Sequence, residues 1–184
     1  MTYLEVAYES DAAVITLRSH TLKVALLAEL ERTLPAIEAK RIVITGRDGF
    51  FAAGADIGEL HRLNGADALE YARFGQRVLN LLADHRAATI AAIDGYCMGG
   101  GLDLALACDL RYATPKSVLA HPGGRIGIMT GWGGTRRLPL IIGKSRTLEM
   151  MAIGRRITAP EAAEWGLINA VVDDPVSHAM QLHI

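Results

Sequence analysis

The sequence predicts an α/β fold with largely parallel strands. Two observations carry this. A strand followed by a glycine-bearing loop and then a helix occurs twice, at 41–62 and at 89–107. Such alternation is the pattern of parallel strands joined by crossing helices. Apolar residues make up 51% of 184 residues, enough to bury a sizeable core in a single domain spanning 1–184.

Taken in order, YLEVAY (3–8) and AVITLR (13–18) predict a strand pair around the turn ESDA. Leu22, Ala25, Leu26, Leu30, Leu34 and Ile37 recur at helical spacing, and Pro35 is expected to kink or end that helix. RIVITG (41–46) predicts a buried strand, and GRDGFFAAGADIGEL after it a glycine-rich loop entering a helix. Leu69, Phe74, Val78 and Leu81 mark an amphipathic helix over 66–85. TIAAID (89–94) is a second buried strand, leading into the loop and helix of DGYCMGGGLDLALACDL (94–110). DLRYAT and SVLAH predict short strands, and residues 123–134 a long glycine-rich loop. Helices follow near 135–141 and 144–152, then one from Pro160 that Thr158 is placed to cap, then a last strand at 168–172. The tail VDDPVSHAMQLHI gives no closing element.

Composition excludes several classes of function. The formal net charge is −1, with no run of Lys or Arg, so nucleic acid and membrane surfaces are not expected partners. Cys97 and Cys108 form neither a metal-ligand spacing nor a disulfide framework; no metal is expected, and a reducing, cytoplasmic setting fits. The acidic, broken start MTYLEVAYESD does not read as a signal peptide, and no apolar run reaches the ~18 residues of a spanning helix.

The two glycine-bearing turns carry the chemistry. The first turn of a helix leaves backbone N–H groups without internal acceptors, and the helix dipole adds partial positive charge. Glycine lets a ligand approach that backbone closely. Two such turns side by side can aim two N–H groups at one oxygen, forming an oxyanion hole. Neither turn holds the dinucleotide fingerprint GxGxxG. IIGKS (141–145) lacks the earlier glycine of a P-loop, since Leu138 occupies that position. The alternative for Gly99, Gly100 and Gly101 is tight helix packing alone. Asp103 lies three residues after Gly100 among apolar neighbours; it either caps the helix or works as an acid or base.

FFAAGADIGEL (50–60), AAIDGYCMGGGLDLALACDLRYAT (91–114) and TGWGGTRRLPLIIGKSRTLEMMAIGRRITAPEAAEWGLINAVV (130–172) together resemble the crotonase superfamily, the enoyl-CoA hydratase/isomerases. The resemblance covers about 40–172 and weakens upstream. It implies a spiral of repeated ββα units, with the C-terminal helical part of relatives missing or truncated here. It implies an acyl-coenzyme A thioester as substrate, coenzyme A being part of that substrate and no separate cofactor being needed. The thioester oxygen would sit between the N–H groups of Ala55 and Gly100, stabilising an enolate, with Asp103 as acid or base. Ala53, Asp56 and Ile57 would meet coenzyme A, and Gly99, Gly123, Gly131 and Trp132 would complete the substrate-binding set. A homotrimer or hexamer would be the assembly.

The chain departs from the family at the catalytic pair of glutamates. The first falls at Asp103, one methylene shorter, and the second at Gly123, with no side chain. A ~1 Å misplacement can cost ~10²-fold, so hydration itself is in doubt. Double-bond isomerisation or decarboxylation suits a single carboxylate as well, and a non-catalytic acyl-CoA-binding protein is the reading from another class. His121 and Arg125 flank the gap. His121 either holds a structural hydrogen bond or replaces the lost acid. Arg125 either pairs with Asp103 or a carboxylated substrate, or makes a surface salt bridge. Met98 and Met129 belong either to the core or to an acyl pocket. Gly58 stands where relatives often carry a phosphate-binding lysine, leaving Lys23 and Arg47 as substitutes.

Overall fold

The computed structural model describes residues 2–182. Two strands, β1 (Leu4–Glu9) and β2 (Ala12–Leu17), pair antiparallel. β2 then pairs in parallel with β3 (Arg41–Thr45), β3 with β5 (Ala88–Ile93), β5 with β7 (Leu110–Ala113), and β7 with β10 (Ala170–Val171). These six strands form one sheet in the order β1-β2-β3-β5-β7-β10. The interior strands are near-continuous apolar runs because a parallel sheet is covered on both faces.

A second, four-stranded sheet runs in the order β4-β6-β8-β9. Its members are short: β4 (Phe50–Ala52), β6 (Tyr96–Met98), β8 (Val118–Ala120) and β9 (Arg156–Thr158). Each of β3, β5 and β7 feeds one of them, and a helix follows, so the chain repeats ββα. β4, β6 and β8 are parallel, with Cys97 opposite Ala52 and Met98 opposite Ala120. That register sets the C-terminal ends of three strands side by side. The residues leaving those ends are Ala53, Gly99 and His121.

Helix α1 (Val24–Thr33) passes into a 3₁₀ turn over Leu34–Ala36, so Pro35 ends it. A single turn of helix, α2 (Ile57–Leu60), precedes α3 (Gly65–Ala83), whose start is fixed by Asn64 accepting from the N–H of Ala66 and Asp67. α4 (Gly100–Ala107) is buried at every position, which explains why all its residues but Asp103 are apolar or glycine. α5 (Gly134–Met151) consists of two helical runs that meet at Gly143, where φ is 79°. α6 (Ala159–Glu164) has Thr158 as its cap and Pro160 in its first turn, as the sequence predicts. None of the described helices is long and apolar enough to cross a membrane.

The main core lies between the helices and one face of the large sheet, and includes Ile15, Leu26, Ile42, Phe51, Leu79 and Leu102. A smaller cluster on the opposite face joins Val43, Ile90, Ala92 and Tyr112 to Ala179. Ala179 belongs to α7 (Pro175–Met180), so the tail does close the fold, contrary to the sequence expectation. Asp174 caps α7 and Pro175 opens it; the tail's last two residues lie outside the described ones. The expected strand at 168–172 is only two residues long, and β4, β6 and β9 carry no strand signal in the sequence because three residues are too few to show a period.

Candidate functional site

The C-terminal ends of β4, β6 and β8 open on a cavity of about 310 Å³. Its wall is mostly apolar, with Ile57, Leu60, Leu63, Ile126, Ile128 and Met129 contributing. Loops after β4 and β6 form its floor. Gly54 has φ 99° and Gly99 φ 51°, conformations that side-chain-bearing residues rarely adopt, and both turn the chain sharply away from its strand. The turn at Gly99 hands the chain to α4 with the Gly100 N–H at the helix start.

The two turns pack against each other. A methyl group on Gly54 would lie 3.0 Å from the Gly100 nitrogen, and one on Gly100 would lie 3.2 Å from the Ala55 nitrogen. The two amides are therefore neighbours. Neither donates to a protein acceptor among the described residues, whereas Ala53 N–H is taken by the His20 carbonyl and Gly99 N–H by the Ala120 carbonyl. Ala55 and Gly100 both line the cavity. Two unpaired amides beside each other at a mostly apolar cavity can bind one carbonyl or oxyanion.

The glycines serve packing as well. The Trp132 indole is buried between α3 and α4. A methyl group on Gly75 would overlap it, and one on Gly100 would stand 2.6 Å from its ring. Gly101 allows α4 to lie against the Ala52 carbonyl. Packing and ligand access thus require glycine together at Gly100.

Asp103 is placed differently from a simple acid on the cavity wall. Its residue is 0% exposed and is not among those lining the cavity. The Thr130 hydroxyl donates to Oδ2. Oδ1 lies 3.1 Å from Nε2 of His121, which is 4% exposed and does line the cavity. The geometry of that 3.1 Å approach is not that of a hydrogen bond, so it is a close polar contact. The remaining space is closed by Gly134, where a methyl group would overlap Oδ1 and come within 3.0 Å of Nε2.

The other residues expected at the site divide as follows. Ala53, Ile57, Gly99, Gly123, Gly131 and Trp132 line the cavity together with Ala55 and Gly100. Asp56 does not; it caps α2 through the Glu59 N–H, accepts from the Thr21 hydroxyl and lies 4.0 Å from Lys23 Nζ. Those contacts, the backbone bond first, hold its carboxyl below the usual aspartate range. Met129 lines the cavity, while Met98 is buried in the fold next to it. Arg125 donates to the Ile153 carbonyl on the surface and makes no pair with Asp103. Arg47 is held by the Arg18 carbonyl and Asp48.

Sequence reasoning did not find Thr130, Gly134 or Tyr71. Tyr71 lines the cavity with its ring 5.3 Å from that of Trp132, and burial pushes its phenol well above its ordinary value. Only the chain reversal at 128–134 brings Thr130 and Gly134 onto α4, so no local pattern announces them. A wider, shallower hollow of about 820 Å³ lies on the outer face of α3. Its arginines, Arg73, Arg77 and Arg86, are paired with Glu70, Glu31 and Glu38, and nothing converges there. Among the described residues, no group of three or more His, Cys, Asp or Glu could hold a metal ion.

Known proteins share this architecture. YngF of Bacillus subtilis is 42% identical over 86% of this chain and 65% of its own length. A crotonyl-CoA hydratase of Syntrophomonas wolfei is 38% identical over 75% of this chain and 53% of its own. The crystal structure of an enoyl-CoA hydratase from Bacillus anthracis superposes with a TM-score of 0.89 at 33% identity, covering 98% of this chain and 73% of that one. The chain thus spans less than two thirds of either of the first two relatives. The sequence resemblance, noted over about 40–172, extends to most of the chain. With repeated ββα units and two parallel-strand turns in place, and the enoyl-CoA hydratase/isomerase family model matching residues 8–183, the chain belongs to that family, within the crotonase superfamily.

Proposed function

We propose that the protein acts on acyl-coenzyme A thioesters, holding the thioester oxygen between the N–H groups of Ala55 and Gly100 and stabilising the enolate formed beside it. The observation that carries this is the adjacency of those two unpaired amides at the mostly apolar cavity. An apolar wall suits an acyl chain, and donors placed where negative charge develops act strongly in a water-poor site. The names of relatives, a crotonyl-CoA hydratase among them, support the same substrate class. Asp103 and its neighbours supply the acid–base function. Coenzyme A enters as part of the substrate, and no other cofactor is required. The assembly is a homotrimer or hexamer, carried over from the family resemblance, and the setting cytoplasmic, an expectation that rests on the two cysteines.

Isomerisation or decarboxylation is favoured over hydration by one further observation. Gly123 has no side chain, and a methyl group there would overlap the Ile128 carbonyl oxygen, so the loop is shaped around the absence of an acid. Isomerisation needs one group to carry a proton between carbons, while hydration needs a water activated as well. The test is a panel of acyl-CoA thioesters, including crotonyl-CoA and 3-butenoyl-CoA, scored for product by mass spectrometry. Interconversion of 3-butenoyl- and crotonyl-CoA faster than hydration is the expected result. Tight binding with no turnover of any thioester would establish a binding protein instead.

A further inference from the structure

We propose that His121 is the residue that exchanges a proton with the substrate, and that Asp103 is a positioning residue which orients and charge-compensates it. The assignment rests on the thioester reading above and deepens it.

Four features of the site converge. β8 ends at Ala120, so the sheet register itself delivers His121 to the cavity wall next to Gly99 and Gly100. Asp103 is fully enclosed and lies behind that wall, with one oxygen taken by Thr130 and the other 3.1 Å from His121 Nε2. Neither Oδ1 nor Nε2 has a hydrogen-bond partner, so each has the other as its close polar neighbour. Gly134 keeps open the space that the pair occupies.

Direct work by Asp103 would require its carboxylate to leave Thr130 and pass the imidazole. His121 needs no such movement. Its Nε2 is turned to Asp103, which leaves Nδ1 as the ring nitrogen not committed to the carboxylate. A buried carboxylate is costly without a charge partner, and a histidine that has just accepted a proton is such a partner. The carboxylate thus stabilises the imidazolium at the step where it forms, as an orienting acid does for a catalytic histidine elsewhere.

The chemistry balances without a further reactant. His121 removes a proton from the carbon next to the thioester carbonyl. The C–H bond breaks, an N–H bond forms, and the electron pair moves into the enolate whose oxygen the two amides hold. The imidazolium trades that proton with solvent and delivers a solvent proton to the same carbon, which is exchange. In an unsaturated acyl chain it can return the proton two carbons further on, which moves the double bond.

Other ionisable groups surround the pair. Cys97 on β6 and Arg137 on α5 feel the charge of Asp103, and Tyr71 of α3 lines the same cavity. Burial pushes the Cys97 thiol and the Tyr71 phenol well up, and arginine stays cationic, so none of the three changes charge between about pH 5 and 8.

The experiment uses butyryl-CoA in deuterated water, with deuterium uptake read by mass spectrometry and affinity by calorimetry. Wild-type protein is expected to bind and exchange, with a rate that rises through one inflection between about pH 5 and 8. His121→Gln is expected to slow exchange at least ~100-fold with affinity changed less than about threefold. Asp103→Asn is expected to slow it about tenfold and to move the inflection to lower pH, because the imidazolium loses its counter-charge. Gly134→Ala, which crowds the pair but is sound in a helix, is expected to do the same. A His121→Gln rate equal to wild type overturns the histidine assignment alone, and so does a wild-type rate flat across that pH window, which needs no variant to fold. Failure of wild type to bind or exchange overturns the thioester reading and the assignment with it.

Discussion

Gly100 shows how one residue answers to two demands. Its N–H faces the cavity, and its missing side chain leaves the Trp132 ring and the Ala55 amide close by. Gly100→Ala would put a methyl group 2.6 Å from the indole and 3.2 Å from the Ala55 nitrogen. Overpacking of this kind typically costs ~1–3 kcal/mol of stability. Losing access to one donor of an oxyanion site costs ~10²–10³-fold in rate. The variant is therefore expected to remain folded, by urea titration, and to lose at least ~100-fold in turnover of whichever thioester wild type converts. Gly123 sets a second expectation. Gly123→Glu replaces the acid that hydratases carry, yet its Cβ would overlap the Ile128 carbonyl. It is expected to lower the urea midpoint without raising hydration of crotonyl-CoA; a gain in hydration would show that the loop yields easily. The glycines were legible in the sequence because they break a helix pattern. The depth of Asp103 was not. Helical spacing placed it on the face of Gly100, but whether that face meets the cavity or the 128–134 loop is decided by the fold.

At the scale of elements, the site is made by short parallel strands and closed by distant capped helices. β4, β6 and β8 have three residues each, and their register alone aligns three loop starts. Three residues cannot show alternation, which is why long apolar runs such as RIVIT and ATIAAI are readable and β4 and β6 are not, while SVLAH does announce β8. α7 was missed for a different reason. Its signal is the pair Asp174–Pro175, a cap followed by proline, and no apolar stripe follows it in so short a helix. Asp174 Oδ1 accepts from the N–H of Val176 at 3.1 Å and of Ser177 at 3.0 Å. Asp174→Ala is expected to cost about 1 kcal/mol by urea unfolding, the usual worth of an N-cap. Because α7 covers Val43 and Ile90 on the face of the large sheet away from the cavity, ligand affinity is expected to stay unchanged. A loss of affinity in that variant would mean that the two faces of the sheet are coupled.

Across the whole molecule, three aspartates tie chain ends and turns to the body of the fold. Asp11 in the first turn takes Arg41, which also donates to the carbonyls of Met180 and Leu182 near the other terminus. Asp56 links the cavity loop to Thr21 before α1, and Asp174 fixes α7. All three carboxyls are held below the ordinary aspartate value of 3.8: Asp11 first by its bond from Arg41, Asp56 by the Glu59 N–H, and Asp174 by Ser177. A group whose pKa is lower in the folded state binds fewer protons there than in the unfolded chain. Its contribution is therefore fully present above 3.8 and disappears as pH falls through the folded value. The urea midpoint is expected to be constant from pH 7 to about pH 5 as far as these groups decide it, and to fall below pH 4. Replacing all three by Asn is expected to lower the midpoint at pH 7 and to flatten the dependence below pH 4, so that the two curves approach each other in acid. Parallel curves down to pH 2.5 would show that these aspartates do not govern acid unfolding.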